Sequence, residues 1–154
     1  MLDVQELNTW IMTNFEDVVP HYTWGEHSYF YNLSGLKPRG SYFLTIKQKD
    51  GANDTASNLD RPGVWRLNFG LPKANFIHCF GHPPSRPGKG MAVEGPWDFT
   101  ALDQLMPHPV YGWMAWVSIL NPSQKSFETL KPLIIQAYSK ARDGFDKRSD
   151  LRKT

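Results

Sequence analysis

The chain has 154 residues, of which 21% are charged and 14% are aromatic, and its formal net charge is +2. This composition argues against a disordered chain, and the length fits one domain that buries roughly 68–70% of the surface of the unfolded chain. The small charge excess does not favour nucleic acid as a partner, because nucleic-acid-binding proteins usually concentrate Lys and Arg on one face.

The cysteine content and the apolar runs bear on localisation. Cys79 is the only cysteine, so no disulfide can form within the chain. There is no cleavable apolar leader at Met1 and no apolar run long enough to cross a membrane. We therefore expect a cytoplasmic protein with no membrane partner. The sequence does not indicate an oligomeric state.

A helix and a hairpin are the first predicted elements. Asp3 and Glu6 have the spacing of a capping pair, and apolar residues then recur at helical spacing at Val4, Leu7, Ile11 and Phe15. Pro20 ends any continuation of the helix. Strands are predicted at 22–24 and 27–31, because the Gly25-Glu26 pair between them is typical of a tight turn.

Two more strands are predicted at 41–48 and 64–69, joined by a turn-rich loop at 49–63. Side chains alternate between the two faces of a strand, which places Tyr42, Leu44 and Ile46 together on one face of the first strand. Loops of this length are uncommon in compact domains and are often functional or disordered.

The 64–69 strand carries the clearest pattern in the chain. Trp65, Leu67 and Phe69 fall on one face, while Arg66 and Asn68 fall on the other. We expect the apolar face to pack in the core. The guanidinium and the carboxamide are expected to look toward solvent or a bound molecule.

The second half of the chain is predicted to alternate helices with a central strand. A short helix is expected at 73–80, a Pro- and Gly-rich loop at 81–97, and a helix capped by Asp98 or Thr100 that runs to Met106. The strand at 113–120 is apolar on both faces, which indicates that both are covered. A last helix is expected at 126–142, with Pro132 distorting its first turns, and residues 143–154 form a basic tail that frays.

Several short motifs resemble a bacterial family of unknown function, domain-of-unknown-function family 6194. The resemblance covers about residues 24–142 and is carried by Thr23-Trp-Gly25, Asp54-Thr-Ala-Ser57, Leu59-Asp-Arg-Pro-Gly63, Arg66-Leu-Asn68, His108-Pro-Val-Tyr-Gly112, Trp116-Val-Ser118 and Leu120-Asn-Pro122. More distantly, the segment from His108 onward is similar to the YjbR/MmcQ group. That likeness implies a single α+β domain with a curved, mainly antiparallel sheet packed by N- and C-terminal helices. Members of that group are often labelled DNA-binding.

No metal or cofactor is expected. His78, Cys79 and His82 are close in sequence, but zinc sites usually take two spaced pairs of ligands, which this chain lacks. There is no Gly-x-Ser-x-Gly elbow, and the loop at 86–90 lacks the Gly-Lys-Ser/Thr ending of a phosphate loop.

The candidate ligand-binding residues are polar groups on strands and long loops together with aromatic walls. The polar set is Glu26, Asp54, Asp60, Arg61, Arg66, Asn68, His108 and Tyr111, with Trp24, Tyr29 and Trp116 as walls. A guanidinium suits a carboxylate or a phosphate, so the favoured function is binding of a small polar or anionic ligand.

Three alternative functions remain open at this point: a YjbR-like nucleic-acid-binding protein, an enzyme that uses His108 with Asp54 or Asp60, and a self-associating interaction protein. Structural roles for the same residues compete with all of these functions. Asp60 can cap the Pro-Gly turn, Arg66 can pair with Glu26 or Asp54, and His108 can bind a backbone carbonyl.

Overall fold

Six strands form one antiparallel sheet in the computed structural model, which describes residues 2–35 and 40–153, with side chains up to residue 147. The strand order is β1-β2-β3-β4-β6-β5. The strands are β1 Val18–Thr23, β2 Glu26–Tyr31, β3 Ser41–Lys47, β4 Arg66–Gly70, β5 Met106–Pro107 and β6 Trp116–Leu120. The α-helices are α1 Val4–Asn14, α2 Lys73–Phe80 and α3 Gln124–Lys153, with short 3₁₀ turns at Leu33–Gly35 and Gly112–Met114.

The N-terminal helix begins where the capping signal predicts. The backbone N–H of Glu6 donates to Asp3 Oδ1 at 2.8 Å, and Leu7 and Ile11 are fully buried. The reciprocal half of the predicted capping pair is replaced by a tertiary contact, in which Gln124 Nε2 donates to Glu6 Oε2 at 3.0 Å. This bond ties α1 to the start of α3.

The first hairpin is longer than predicted. Strand β1 already begins at Val18 and contains Pro20, which is tolerated because β1 is an edge strand whose outer side needs no backbone donor. The turn lies at Trp24-Gly25, and Gly25 adopts φ +80°. The proline therefore marks the end of the helix correctly, and the strand begins two residues before it.

A β-bulge in β3 corrects one prediction about the sheet faces. Tyr29 pairs with Leu44 and Phe30 pairs with Tyr42, so Phe43 is an extra residue on β3. Phe43 and Leu44 are both buried in the main core, while Tyr42 turns to the opposite face and is exposed. The prediction that Tyr42 shares a face with Leu44 and Ile46 is wrong, because alternation restarts after a bulge.

The C-terminal helix is longer at both ends than predicted. It begins at Gln124, after Ser123 Oγ accepts the backbone N–H of Ser126 at 3.1 Å, and Pro132 lies inside it. The helix continues to Lys153, and Phe145 is fully buried with its ring 5.2 Å from that of Tyr31. Fraying of 143–154 stays a prediction, and the side chains of 148–154 lie outside the described residues.

The predicted helix between Asp98 and Met106 does not form. Asp98 Oδ1 instead accepts from the backbone N–H and the hydroxyl of Thr100 in a turn, and Asp103 adopts φ +57°. Met106 belongs to β5, where it pairs with Ser118 of β6. A local capping signal was overridden here by strand pairing.

The sheet is covered on both faces. One face packs against α1 and α3 in the main core, which includes Leu67, Phe69 and Ile134. The other face is covered at one end by a second apolar cluster, in which the loop residues Leu59, Val93 and Phe99 pack with Met106 of β5 and Leu120 of β6. The predicted single α+β domain with an antiparallel sheet and terminal helices is confirmed, and no helix within the described ranges is both long and apolar enough to cross a membrane.

Candidate functional site

A cleft of about 600 Å³ opens on the loop-covered face of the sheet. Its floor is formed by β2, β3, β4 and β6, and its rim by loop residues 51–54 and 108–111. The two rim segments are more than 50 residues apart in the chain, so the cleft exists only because both fold over the same face of the sheet.

Strand register arranges the floor of the cleft in three transverse rows. In the charged row, Glu26 pairs with Lys47 and Lys47 with Arg66. In the hydroxyl-amide row, cross-strand pairing joins Ser28, Thr45 and Asn68 in turn, and continues beyond the cleft to Ser118. The aromatic row consists of Phe30, Tyr42 and Trp116. Polarity therefore falls from one end of the cleft to the other.

Arg66 is held by the protein itself. It is 1% exposed, and its Nε donates to Asn68 Oδ1 at 2.7 Å. Nη1 donates to Asp54 Oδ1 at 3.0 Å and to Ser57 Oγ at 2.9 Å, and Nη2 donates to Asp54 Oδ2 at 2.5 Å. Of the five N–H groups of a guanidinium, four are thus used, and the bidentate fork faces Asp54.

Asp54 supplies the charge that balances Arg66. Its side chain is 15% exposed at the rim of the cleft. Burial raises the pKa of Asp54, but the hydrogen bonds and the positive charge of Arg66 outweigh burial, and the net pKa lies below its ordinary value. A second pair, Lys47 Nζ to Glu26 Oε2 at 3.2 Å, balances the rest of the charged row.

His108 is buried at the edge of the floor and is fixed by the turn that follows it. Its Nδ1 accepts the backbone N–H groups of Val110 and Tyr111, each at 3.0 Å. Its Nε2 lies 3.4 Å from Arg66 Nη2. Burial first, and then the charge of Arg66, lower the pKa of His108 well below its ordinary value, which keeps the ring neutral near pH 7.

The aromatic row depends on a glycine. The ring of Tyr42 lies 5.5 Å from that of Phe30 and 5.3 Å from that of Trp116. A Cβ atom at Gly70 would stand 2.7 Å from Cε2 of the Trp116 ring. Only glycine lets this indole lie across β4, because any other side chain would fill the same space.

Seven of the eleven candidate residues line the cleft, and four do not. Those that line it are Glu26, Asp54, Arg66, Asn68, His108, Tyr111 and Trp116. They come from four strands and two loops, and the fold brings them together. Their binding of a ligand stays a prediction.

Two of the four candidates outside the cleft, Arg61 and Asp60, make structural contacts instead. Arg61 donates to the carbonyl oxygens of Asn58, Ser57 and Thr100, which joins the 49–63 loop to the turn at 98–101. Asp60 Oδ1 accepts the backbone N–H of Asp50 at 3.1 Å.

Both aromatic residues that fall outside the cleft lie on the first hairpin. Trp24 is 85% exposed at the hairpin turn, with the ammonium of Lys49 over its ring. Tyr29, the other expected wall, is in the core and donates to Asn8 Oδ1 at 2.7 Å. Their places as walls are taken by Phe30 and Tyr42.

Ten of the 17 lining residues were missed by the sequence analysis, and five of these lie on strands of the floor: Ser28, Phe30, Tyr42, Thr45 and Lys47. Thr45 and Lys47 alternate with Leu44 and Ile46, so period-two alternation within β3 could have found them. No local sequence signal predicts the bulge at Phe43, which turns the side chain of Tyr42 into the cleft. Ser57, which anchors Arg66, lies in a loop whose path the sequence did not predict.

The expectation of no metal site is not contradicted by the geometry. Among residues 2–35 and 40–147, no group of three or more His, Cys, Asp or Glu side chains is placed to hold a metal ion. Cys79 and its histidine neighbours His78 and His82 are exposed on and after α2, away from the cleft.

Comparison with known proteins gives a family but no activity. No curated protein and no solved structure matches the sequence. The likeness to the YjbR/MmcQ group and a bacterial origin stay predictions. A model of one family, described as a family of unknown function, matches residues 2–150. Because this match spans nearly the whole chain, the protein belongs to that family, DUF6194.

Proposed function

We propose that this domain binds a small polar ligand with a planar apolar part in the cleft between loop residues 51–54 and the segment 108–111. The observation that carries the proposal is the graded floor, on which a charged row, a hydroxyl-amide row and an aromatic row lie side by side. Ligand sites typically combine apolar walls with a few polar groups in fixed positions. The volume of about 600 Å³ falls in the usual range for such sites.

Charge balance favours a polar ligand over a strongly anionic one. The charged lining residues are Glu26, Lys47, Asp54 and Arg66, which form two ion pairs. The fork of Arg66 that a carboxylate or phosphate would use is already filled by Asp54. Among the described residues, the cleft therefore has no excess positive charge to attract an anion, and an anionic ligand would compete with Asp54.

The polar groups of the floor are arranged in advance. Asn68 Oδ1 accepts from Arg66, and Asn68 Nδ2 donates to Thr45 Oγ1 at 3.0 Å. These bonds fix the amide and the hydroxyl before any ligand arrives, which lowers the entropy cost of binding. The rings of Tyr42 and Trp116 supply the stacking surface at the other end.

A fragment screen tests the proposal, with thermal shift for detection and NMR for location. We expect planar polar fragments to shift the indole N–H signal of Trp116 and to raise the melting temperature. Trp116→Ala should weaken binding about tenfold, since it removes a large aromatic contact. Trp24→Ala is the matched control, because Trp24 lies outside the cleft. Equal weakening by both variants, or no fragment signal at Trp116, contradicts the proposal.

The enzyme alternative gains little from the geometry. No hydrogen bond joins His108 to Asp54 or Asp60 among the described side chains, whose carboxylates bind Arg66 and a backbone N–H instead. His108 Nδ1 is occupied by two backbone donors. A general base needs a free lone pair within reach of the substrate. Binding of nucleic acid stays a separate alternative, and the absence of gel retardation at low salt would dismiss it.

A further inference from the structure

The hydrogen bonds of His108 fix which ring nitrogen carries its proton. Nδ1 accepts two backbone N–H groups, from Val110 and Tyr111. A nitrogen that accepts a hydrogen bond has no proton of its own, so the neutral ring must be protonated at Nε2. His108 therefore presents an Nε2–H donor on the side that faces Arg66 and the cleft.

Arg66 presents a second donor at the same place. Four of its N–H groups donate to Asn68, Ser57 and Asp54, and the fifth belongs to Nη2. Nη2 is also the atom that lies 3.4 Å from His108 Nε2. Because Nε2 carries the proton of the ring in this tautomer and a guanidinium has donors only, neither of these nitrogens can accept a hydrogen bond from the other. Their short separation instead suits one acceptor atom that receives a hydrogen bond from both.

We propose that His108 Nε2–H and the fifth N–H of Arg66 form a two-donor clamp for a single ligand oxygen, of the carbonyl or carboxylate type. This inference rests on the proposed binding function and names the chemical group that the cleft recognises. The clamp stands where the charged and hydroxyl-amide rows meet the rim loop, so a planar ligand held there can reach the aromatic row.

The electrostatic surroundings agree with a neutral donor at His108. The charged groups that act on it are Arg66 of β4, Asp54 of the first long loop and Lys47 of β3. Tyr111 packs on it with ring centroids 5.0 Å apart. Burial and the two cations lower the pKa of His108, and Asp54 alone raises it. The clamp suits an uncharged carbonyl, because His108 is neutral and the charge of Arg66 is already balanced by Asp54.

NMR of the imidazole nitrogens tests the first half of the proposal without any ligand. Long-range ¹⁵N–¹H spectra of the free protein distinguish the two neutral tautomers and the cation. We expect His108 to show an unprotonated Nδ1 and a protonated Nε2 throughout pH 6–8. An Nδ1–H tautomer, or a doubly protonated ring at pH 7, would overturn the proposal.

Three matched probes test the second half: benzamide, benzoate and benzamidine. Benzamidine has the shape of benzamide but carries donors in place of the carbonyl oxygen. We expect benzamide to shift the Hε2 signal of His108 together with the indole signal of Trp116, and benzamidine to leave Hε2 unchanged. A comparison of benzoate with benzamide shows whether the clamp binds a carboxylate oxygen or a carbonyl oxygen more tightly. A response of Hε2 to benzamidine as large as that to benzamide would overturn the clamp.

The variant His108→Asn removes the clamp donor and keeps the turn, because its Oδ1 can accept the backbone N–H groups that Nδ1 accepts. We expect it to bind benzamide about fivefold more weakly, the loss of about one hydrogen bond. Equal affinity with Trp116 still responding would overturn the clamp and leave the binding function intact. No response of Trp116 to any of the three probes would overturn both. The backbone spectrum of the variant separates a lost contact from a lost fold.

Discussion

The two faces of β4 are equally buried and are stabilised in different ways. Leu67 and Phe69, on the helix side, are fully buried among apolar side chains of α1 and α3. Arg66 and Asn68, on the cleft side, are each 1% exposed, yet their contacts are directional bonds between polar groups. One strand therefore contributes both to a core and to a polar network, and burial alone does not tell them apart.

This difference has a consequence for tolerance to change. An apolar core accepts side chains of similar volume at small cost, because the attraction between its members has no direction. A buried polar network fails when one partner is removed, since the remaining group keeps its desolvation cost without compensation. Such a network holds its groups in fixed positions, which is a useful property for the floor of a binding site.

The largest expected loss lies on the helix side. Phe69→Ala removes a fully buried ring from the main core and should lower the free energy of unfolding by about 3–5 kcal/mol. Chemical denaturation measures this value. Phe69→Leu is the control, with a cost of about 1.5 kcal/mol or less because it preserves most of the volume. Similar losses for the two variants would mean that this face is not packed as a core.

Breaking the buried ion pair should cost about 3 kcal/mol, at the lower end of the usual range because Asp54 keeps some contact with water. Asp54→Ala leaves the guanidinium of Arg66 buried without its counter-charge. The control is Glu26→Ala in the same cleft, where the more exposed pair with Lys47 should be worth about 1 kcal/mol or less. Equal costs for Asp54→Ala and Glu26→Ala would contradict the difference in burial.

Acid should weaken the cleft side selectively. The pKa of Asp54 is lower in the folded protein than in the unfolded chain, so its contribution is fully present above the unfolded pKa and is lost as pH falls through the folded pKa. We expect the stability of the wild-type protein to fall below about pH 4. In Asp54→Asn that part of the pH dependence should disappear. Denaturation curves between pH 2 and pH 7 measure the difference, and parallel curves for the two proteins would contradict it.

How much the sequence predicts also differs between the two faces. The helix side follows from periodicity, because Leu7, Ile11, Leu67 and Phe69 each repeat with the spacing of their own element. The cleft side needs contacts between distant segments. Arg66 was predicted to pair with either Glu26 or Asp54, and only the path of the 49–63 loop decides for Asp54.

Several errors share one physical cause, which is that local signals were outweighed by pairing in the sheet. The bulge at Phe43 turned Tyr42 into the cleft, and pairing with Ser118 drew Met106 into a strand. One structural role considered for His108 was a bond to a backbone carbonyl, but its Nδ1 accepts backbone N–H groups instead. Composition and spacing do not show which face of a strand a residue takes after a bulge. They also do not show which ring nitrogen of a histidine carries the proton.

A single methyl group at Gly70 should disturb the aromatic row. Gly70→Ala would place Cβ against the Trp116 ring and push the indole into the cleft, at a cost of about 1–3 kcal/mol. Gly88→Ala is the matched control, since a Cβ there meets only Met91 Cγ at an ordinary 3.6 Å. Denaturation and the tryptophan emission spectrum measure the effect. An unchanged spectrum in Gly70→Ala would mean that the ring does not lie across β4.

The smallest expected effect is a gain in stability rather than a loss. It distinguishes two residues of the hydroxyl-amide row, Ser118 and Thr45. Ser118 is fully buried, and its Oγ has no hydrogen-bond partner among the described residues. Thr45 Oγ1, two strands away in the same row, accepts from Asn68 Nδ2. Thr45→Val should therefore cost about 1 kcal/mol, whereas Ser118→Ala should be neutral or should stabilise the fold by up to about 1 kcal/mol.

Denaturant midpoints of both variants, measured at equal protein concentration, decide this last comparison. A loss of about 1 kcal/mol or more in Ser118→Ala would mean that the hydroxyl makes a bond in solution. The network on the cleft side would then extend from Thr45 through Asn68 to β6. If Ser118→Ala is neutral, the network ends at Asn68, and the polar floor is limited to the part of the sheet that the cleft exposes.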